Sequence, residues 1–498
     1  MFKKILIANR GEIAVRVAQA CHELGIATVG VFSTVDTGSK HLRFMDDSVW
    51  IGDSPPQTSY LNITRIVDVA KSTGADAIHP GYGFLAENAE FARACEDAGI
   101  TFIGPGSNAL SLVGDKIASR NTVKKVNVPI IPGMEGSSAD IDDFRSMAET
   151  IGYPVIVKAS LGGGGKGMRI IRSDAELADC VAAGQREAQS AFGDSTVYLE
   201  KYIEKPRHIE FQVLRDHHGN VVHLCERECS IQRRHQKIVE ETPSPVLDAQ
   251  LRHEMGEAAK KVITAAAYTN AGTVEFLLDH QRNFYFLEVN ARVQVEHPIT
   301  EMVTGVDIVR QQIKIADGCR IVFSQGDVQQ NGHAMESRIY AEDPHQQFMP
   351  SPGRILYLNE PQGPGIRVDS GVYDGWNVPP HYDPILSKLI AWAEDREHCI
   401  ARMVQALEQY TILGIRTNID FLSRIITATA FRKGDYHTHF IDDHEQRLMP
   451  KFKHQRVALV GAALISLTGK RGQLSSKSAA SPQTTPWQEV GRWELSGD

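Results

Sequence analysis

Residues 272–297 read GTVEFLLDHQRNFYFLEVNARVQVEH. Two apolar runs, Val274–Leu278 and Phe284–Val289, flank a polar break at Asp279–Asn283, the pattern of two strands joined by a short hairpin. Folding the runs about that break sets Phe276 near Leu287 and Glu275 directly across from Glu288. Strand side chains alternate faces, so Glu288 and Asn290 share a face with Glu275. Like charges opposed across a sheet destabilise it unless something cationic lies between them. Mg²⁺ suits that place, since it takes one or two carboxylates and leaves the rest of its shell to water and phosphates. Glu288, Asn290, Arg292, Gln294 and Glu296 then fall at every second position, with Val289, Ala291, Val293 and Val295 between them. If the backbone stays extended, one face carries metal ligands, then an anion clamp, then a carboxylate able to act as a base. The plainer alternative is a half-exposed strand with a solvated face, but such strands seldom keep this run of Glu, Asn, Arg and Gln beside four small or branched apolar residues.

The chain has 498 residues, which suggests about three domains at ~150 residues each. Composition is that of a soluble globular protein, 42% hydrophobic and 23% charged. A net charge of −8 argues against general nucleic-acid binding, so anionic substrates need local basic clusters. The seven cysteines are scattered, and only Cys225 and Cys229 are close, with no second pair to complete a zinc pattern. Their odd number favours reduced thiols. The N-terminus, MFKKILIANRGE, lacks a signal-peptide layout, and no run reaches the ~18 apolar residues of a membrane span. The expectation is a soluble cytoplasmic protein with no membrane partner.

Residues 4–8, KILIA, form a strand, and a helix follows with Ile13, Val17, Cys21 and Leu24 on one face. Gly25 ends it, and Ala27–Phe32 is the next strand. This βαβ unit predicts a doubly wound parallel sheet, without the G-x-G-x-x-G of a dinucleotide fold. The turn PGYGFLAEN follows Asp76–His79 at a strand's C-terminal end, where ligands often bind and structural turns are equally common. A second segment starts near Gly114-Asp115-Lys116. Tyr153–Lys158 is a strand, followed by Gly162, Gly163, Gly164, Gly165, Lys166 and Gly167. Glycines here expose backbone N–H groups and make a flap over phosphates, with Lys158 and Lys166 adding charge. A flexible Gly-rich linker is the alternative, but linkers rarely run straight into a strand such as Met168–Ile171. Val197–Ile203 reads as a strand leaving its sheet at Glu204-Lys205-Pro206. His208, Glu210 and Gln212 alternate with Ile209, Phe211 and Val213. CSIQRRHQK packs Gln232, Arg233, Arg234, His235 and Lys237 together, a polyanion or carboxylate site in an acidic chain. Beyond residue 333 come strands at Arg354–Leu358 and Leu386–Trp392 and a helix around Ile400–Tyr410. Val457–Leu467 is apolar, and Ser475–Pro486 has linker composition before Trp487 and Trp493.

The motifs ANRGEIA, HPGYGFLAEN, GGGGKGM, EKYIEKPRHIE, QRRHQK and EVNARVQVEHPITE, in this order, resemble the biotin carboxylase family of ATP-grasp enzymes over residues 1 to about 447. The resemblance implies an α/β and α+β architecture. A Rossmann-like N-terminal domain spans 1–114, an ATP-grasp domain spans 115–330 with a mobile lid about 131–203, a C-terminal α+β domain spans 331–447, and 448–498 is a linker-like tail. It implies phosphorylation of bicarbonate by ATP to carboxyphosphate, then carboxylation of N1′ of biotin. Lys116, Lys158 and Lys166 with the glycine run would approach the ATP phosphates, with His235 nearby. Glu200, Lys201 and Ile203 would bind adenine, with His208 and Gln232 close to the nucleoside. Glu275, Glu288 and Asn290 would hold Mg²⁺ (or Mn²⁺). Bicarbonate would sit among Lys237, Arg292, Gln294 and the Val295 N–H, Glu296 would be the base, and Arg338 would stabilise the biotin enolate. For Arg338 taken alone, a surface salt bridge is the ordinary reading.

Leu161 stands where the family has another lid glycine, and Glu228 replaces an aspartate. Neither removes a catalytic group. Arg16 and Glu23, on the polar face of the first helix, would lie at a homodimer interface, although an exposed helix face gives the same pattern. No M-K-M-like hairpin occurs, so biotin is expected on a separate biotin carboxyl carrier protein, with carboxyltransferase subunits as further partners. The tail fits a linker remnant of a stand-alone subunit or of a longer chain. The expected role is the biotin carboxylase of an acetyl-CoA or related acyl-CoA carboxylase, the alternative being a two-subunit pyruvate carboxylase. An inactive ATP-binding scaffold would not need the Glu275, Glu288, Arg292, Glu296 and Arg338 set. A ligase joining a carboxylate to an amine would not need QRRHQK with RVQVEH.

Overall fold

The computed structural model describes residues 1–134, 136, 138, 140–160, 168–449 and 457–464. Met1–Met449 is one compact unit, and Pro450–Asp498 is a second. In the second, residues 457–464 are helical and expose Val457, Leu459, Val460 and Leu464. Leu161, Gly162–Gly167 with Lys166, and the stretch from Ser475 through Trp493 lie outside the described residues.

Strand β1 (Lys4–Ile7), the helix Gly11–Glu23 and strand β2 (Ala27–Ser33) form the expected parallel unit. Strands β3 (Asp47–Gly52), β4 (Ala77–His79) and β5 (Thr101–Phe102) complete a parallel sheet of order β3-β2-β1-β4-β5. Elements cover both faces, so Ile5, Leu6 and Ile7 are all fully buried instead of alternating. The helix buries Ile13, Val17 and Cys21, and Gly25 follows its end at φ +72°. Its expected polar face is corrected at Arg16, which is buried and bonded to Glu301 and Asp307 at 3.1 and 2.7 Å. A charge is stable at that depth because it is paired. Glu23 stays exposed beside Arg310, at 3.3 Å.

Strands β6 (Val155–Ala159), β7 (Arg169–Ile171) and β8 (Val197–Lys201) make a small antiparallel sheet of order β7-β6-β8. β8 stops at Lys201, short of the predicted exit, and Lys201 Nζ turns back to the Gly152 and Tyr153 carbonyls at 3.0 and 3.1 Å. The main sheet has eight antiparallel strands. Strands β9 (Arg207–Arg215), β10 (Val221–Arg233), β11 (Gln236–Thr242), β12 (Asn270–Leu278), β13 (Phe284–Asn290) and β14 (His333–Tyr340) run in the order β13-β12-β9-β10-β11-β14. Ile385–Ala393 and then Ile366–Ser370 extend it. Strands from both sides of residue 330 therefore share one sheet. The stretch Arg354–Leu358 is not one strand, since Gly353–Arg354 and Tyr357–Asn359 pair in different sheets.

Within the β12–β13 hairpin Glu275 lies opposite Glu288 as predicted, but Phe276 pairs with Phe286 and not with Leu287. A bulge at Leu287 sets two residues of β13 against one of β12. The extended run also ends sooner than predicted. β13 stops at Asn290, the chain bends at Arg292 and turns at Val295-Glu296, and a helix covers His297–Thr304. Pro298 in its first turn and Gly305 after its end are ordinary helix boundaries.

Candidate active site

A cavity of about 740 Å³ opens over the sheet where β10–β13 meet the turn 291–296. Its wall contains Lys116, Lys158, His208, Gln232, His235, Lys237, Glu275, Glu288, Asn290, Arg292, Gln294, Val295, Glu296 and Arg338. The turn after β13 thus keeps on one wall the polar residues that a continuous strand was expected to align. Glu200, Lys201 and Ile203 do not line it. Glu200 is buried behind Lys158, whose Nζ lies 2.6 Å from it, and also bonds Arg120.

The centre of the site is Lys237. Its ammonium lies 2.5 Å from Glu210, 2.7 Å from Glu275, 2.9 Å from Glu296 and 3.2 Å from the Gln294 side-chain oxygen. Burial alone would push the lysine down, but these carboxylates hold it well above its usual range. Glu296 is the converse. Burial pushes its carboxyl up, and Lys237 and Arg338 outweigh that and hold it far below the carboxylate range. Arg338 donates from Nη2 to Glu296 at 2.9 Å and from Nε to Glu240 at 2.6 Å, a buried ion pair and not the surface salt bridge it suggests when taken alone.

Two groups here escaped the sequence reading. Glu210 is fully buried, reaching Lys237 and Arg227 at 2.5 Å each, and β9 sets it opposite Glu275. Its signal was the alternation His208, Glu210, Gln212. Glu87, in the turn after β4, accepts from the Ala291 N–H and from Arg292 Nε at 2.9 Å each, while Arg292 Nη2 reaches Asn290 at 3.0 Å. Spacing gives no hint that Glu87 meets residue 292.

The hairpin β10–β11 turns at Arg234 and His235, with φ +49° and +66°. Two successive left-handed residues give the I′ geometry that suits a two-residue hairpin, a place usually taken by Asn-Gly. Here the strained pair sets His235 in the cavity wall. Gln232 contacts His208 at 2.9 Å, and His208 contacts Glu275 at 3.0 Å.

Glu275, Glu288 and Asn290 offer oxygen donors alone, which fits a hard divalent cation. Burial, with Glu275 adding to it against Lys116, lifts the Glu288 carboxyl above its usual range. A cation between the two carboxylates would reverse that repulsion. Lys237 and His208 contact Glu275, and Arg292 donates to the Asn290 oxygen; among the described residues the tightest groups of potential ligands, such as His208, Glu210 and Glu275, do not include Glu288.

Three family models match the chain: "Biotin carboxylase, N-terminal domain" over residues 1–110, "Carbamoyl-phosphate synthase L chain, ATP binding domain" over 115–322, and "Biotin carboxylase C-terminal domain" over 336–443. Biotin carboxylase 1 of Bacillus subtilis is 50% identical over 446 residues, covering 89% of this chain and 99% of that protein. A pyruvate carboxylase subunit of Methanothermobacter thermautotrophicus is 53% identical over 446 residues, covering 90% of this chain and 91% of that protein. Among solved structures, the biotin carboxylase domain dimer of Hydrogenobacter thermophilus 2-oxoglutarate carboxylase, in complex with MgADP, ADP and bicarbonate, superposes with a TM-score of 0.88. It is 48% identical and covers 91% of this chain and 100% of that one. The parallel N-terminal sheet, the ion-paired cavity and these likenesses agree, and the chain belongs to the biotin carboxylase family.

Proposed function

We propose that this cavity binds ATP and bicarbonate and that the chain carboxylates N1′ of biotin presented by a separate carrier protein. The observation that carries the reading is Glu296, held ionised between Lys237 and Arg338 beside Arg292 and Gln294 on the wall of one cavity. Lys237, Arg292, Gln294 and the Val295 N–H hold bicarbonate, the planar guanidinium matching a planar oxyanion. As Lys237 turns part of its bonding to bicarbonate, Glu296 loses stabilisation of its charged form and its basicity rises. Glu296 then takes the bicarbonate proton, and the freed oxygen attacks the γ-phosphorus, releasing ADP and forming carboxyphosphate. Carboxyphosphate breaks to carbon dioxide and phosphate. The phosphate takes the N1′ proton while Arg338 faces the charge that develops on biotin, and N1′ bonds the carbon dioxide.

Lys116, Lys158 and His235 are assigned to the phosphates, as by their motif alone are Lys166 and the run Gly162–Gly167, which lie outside the described residues. His208 and Gln232 lie by the nucleoside, and adenine is proposed to reach past the cavity wall to the backbone of Glu200, Lys201 and Ile203 at the end of β8, since the Glu200 side chain is taken up by Lys158 and Arg120. Glu275, Glu288 and Asn290 would hold Mg²⁺ or Mn²⁺, which would supply charge to neutralise the phosphates. This partition keeps domains at 1–114, 115–330 and 331–447, with 448–498 as a tail. A homodimer is part of the proposal, supported by the dimer of the solved relative. A cytoplasmic location belongs to it as well. Among the described residues no helix is long and apolar enough to cross a membrane.

The carboxyl acceptor is proposed to be acetyl-CoA or a related acyl-CoA, through carrier and carboxyltransferase subunits. Pyruvate is the second reading, favoured by the 53% identity to a protein of pyruvate carboxylase. The test is ATP hydrolysis by the purified chain with Mg²⁺ and bicarbonate, with and without free biotin. Hydrolysis that needs bicarbonate and rises with biotin is expected. Turnover indifferent to bicarbonate assigns the cavity to another ATP-grasp reaction.

A further inference from the structure

The turn Gln294–Glu296 lies beyond the end of β13, so sheet hydrogen bonds do not hold it. A backbone bond from the His297 N–H to the Gln294 carbonyl, at 3.3 Å, and two side chains with no exposed surface hold the carbonyls of Gln294 and Val295 instead. His297 Nδ1 lies 2.7 Å from the Gln294 carbonyl oxygen, and Lys388 Nζ lies 3.1 Å from the Val295 carbonyl oxygen. A carbonyl only accepts, so His297 carries its proton on Nδ1. Its Nε2 has no hydrogen-bond partner among the described residues. Burial first, and then Lys388, Arg16 and Arg367, keep the ring neutral.

Lys388 comes from the strand Ile385–Ala393, and Glu12 and Asp369 balance its charge at 3.1 and 3.7 Å. Glu12 belongs to the ANRGEIA motif and accepts a hydrogen bond from the hydroxyl of Tyr82 in HPGYG. The chemistry above uses neither motif. In a planar trans peptide the N–H points opposite the C=O. With the Gln294 carbonyl drawn to His297, the Val295 N–H is turned the other way. With the Val295 carbonyl drawn to Lys388, the backbone entering Glu296 is fixed as well. Gln294, Val295 and Glu296 all line the cavity.

We infer that His297 and Lys388, the latter supported by Glu12, are positioning residues that aim the Val295 N–H and Glu296 at bicarbonate without touching it. The inference rests on the proposed function. Its test is steady-state kinetics of the full chain with ATP, bicarbonate and biotin, comparing His297→Leu, His297→Asn and Lys388→Met. His297→Leu and Lys388→Met should each raise the bicarbonate KM about tenfold while the ATP KM moves less than about twofold. In His297→Asn the amide nitrogen can take the place of Nδ1, which should return the bicarbonate KM to within about threefold of wild type.

An unchanged bicarbonate KM overturns the inference, as do ATP and bicarbonate KM values rising together, or His297→Asn behaving like His297→Leu. Lys388→Met leaves Glu12 without its cation, while Asp369 keeps Arg367 at 2.8 Å. If it yields no folded protein, the two His297 variants decide. A wild type without bicarbonate-dependent turnover overturns the functional reading itself. An active wild type with normal variants overturns the positioning role alone.

Discussion

Glu296 and Lys237 define each other. The carboxylate is far more acidic than usual because two cations crowd it, and the lysine is far more basic because three carboxylates surround it. Glu296→Gln keeps the shape and removes the proton acceptor. Bicarbonate-dependent ATP hydrolysis should fall about 10²–10⁴-fold, the usual worth of a general base. Residual activity above about a tenth of wild type would give the proton to another group. Lys237→Met leaves Glu210, Glu275 and Glu296 facing one another without their shared cation. Breaking a buried ion pair costs about 3–5 kcal/mol, so the denaturant midpoint should drop, and adding Glu210→Gln should recover part of the loss. At this scale the identities and the period-two spacing of Glu288 through Glu296 were legible. Which carboxylates meet Lys237 was not, because spacing along one strand is silent about its neighbours.

At the scale of elements, the hairpin turn at Arg234-His235 trades stability for a placed side chain. Non-glycine residues in left-handed conformations cost about 1–3 kcal/mol each. Replacing the pair by Asn-Gly should raise stability by about 1–2 kcal/mol in thermal or denaturant unfolding while lowering ATP turnover, since His235 is lost. Unchanged turnover would remove His235 from the nucleotide site. The period-two reading carried the strand of β13 too far. Pro298 and Gly305 marked the helix His297–Thr304, but a polar alternation that happens to persist through a turn hides the boundary. The bulge at Leu287 left no sequence mark, because the residues on either side alternate acceptably in both registers.

Across the whole molecule, Glu241 of β11 pins later parts of the chain to the central sheet. It contacts His333 at 2.6 Å and Arg396 at 2.7 and 2.9 Å, and accepts the Tyr436 hydroxyl. Burial raises its pKa, but the bonds from His333 and Arg396 prevail and bring it down to about 2 from 4.5. A carboxyl lowered in the folded state stabilises fully above its unfolded value and loses that contribution as pH falls through the folded one. The window is therefore about pH 4.5 down to about 2, and the size is about 3 kcal/mol at 1.36 kcal/mol per unit. The thermal midpoint of wild type should fall through this range, and Glu241→Gln should be less stable at pH 7 and lose less on acidification. Equal acid sensitivity in the variant would assign the loss to other carboxylates.

The order of motifs along the chain, the N-terminal parallel unit, the hairpin that opposes Glu275 to Glu288 and the family were all determined by the sequence alone. Each rests on local periodicity or short-range spacing, which one chain displays by itself. Only the tertiary structure decided that Arg16 is buried, that Glu87 clamps Arg292, that Glu210 joins Lys237 and that Lys388 and His297 hold the turn before the helix. Apart from His297, three residues from Gln294, those partners come from segments well separated along the chain. The opposed shifts in acidity of Lys237 and Glu296 arise only when folding removes water from around their charges.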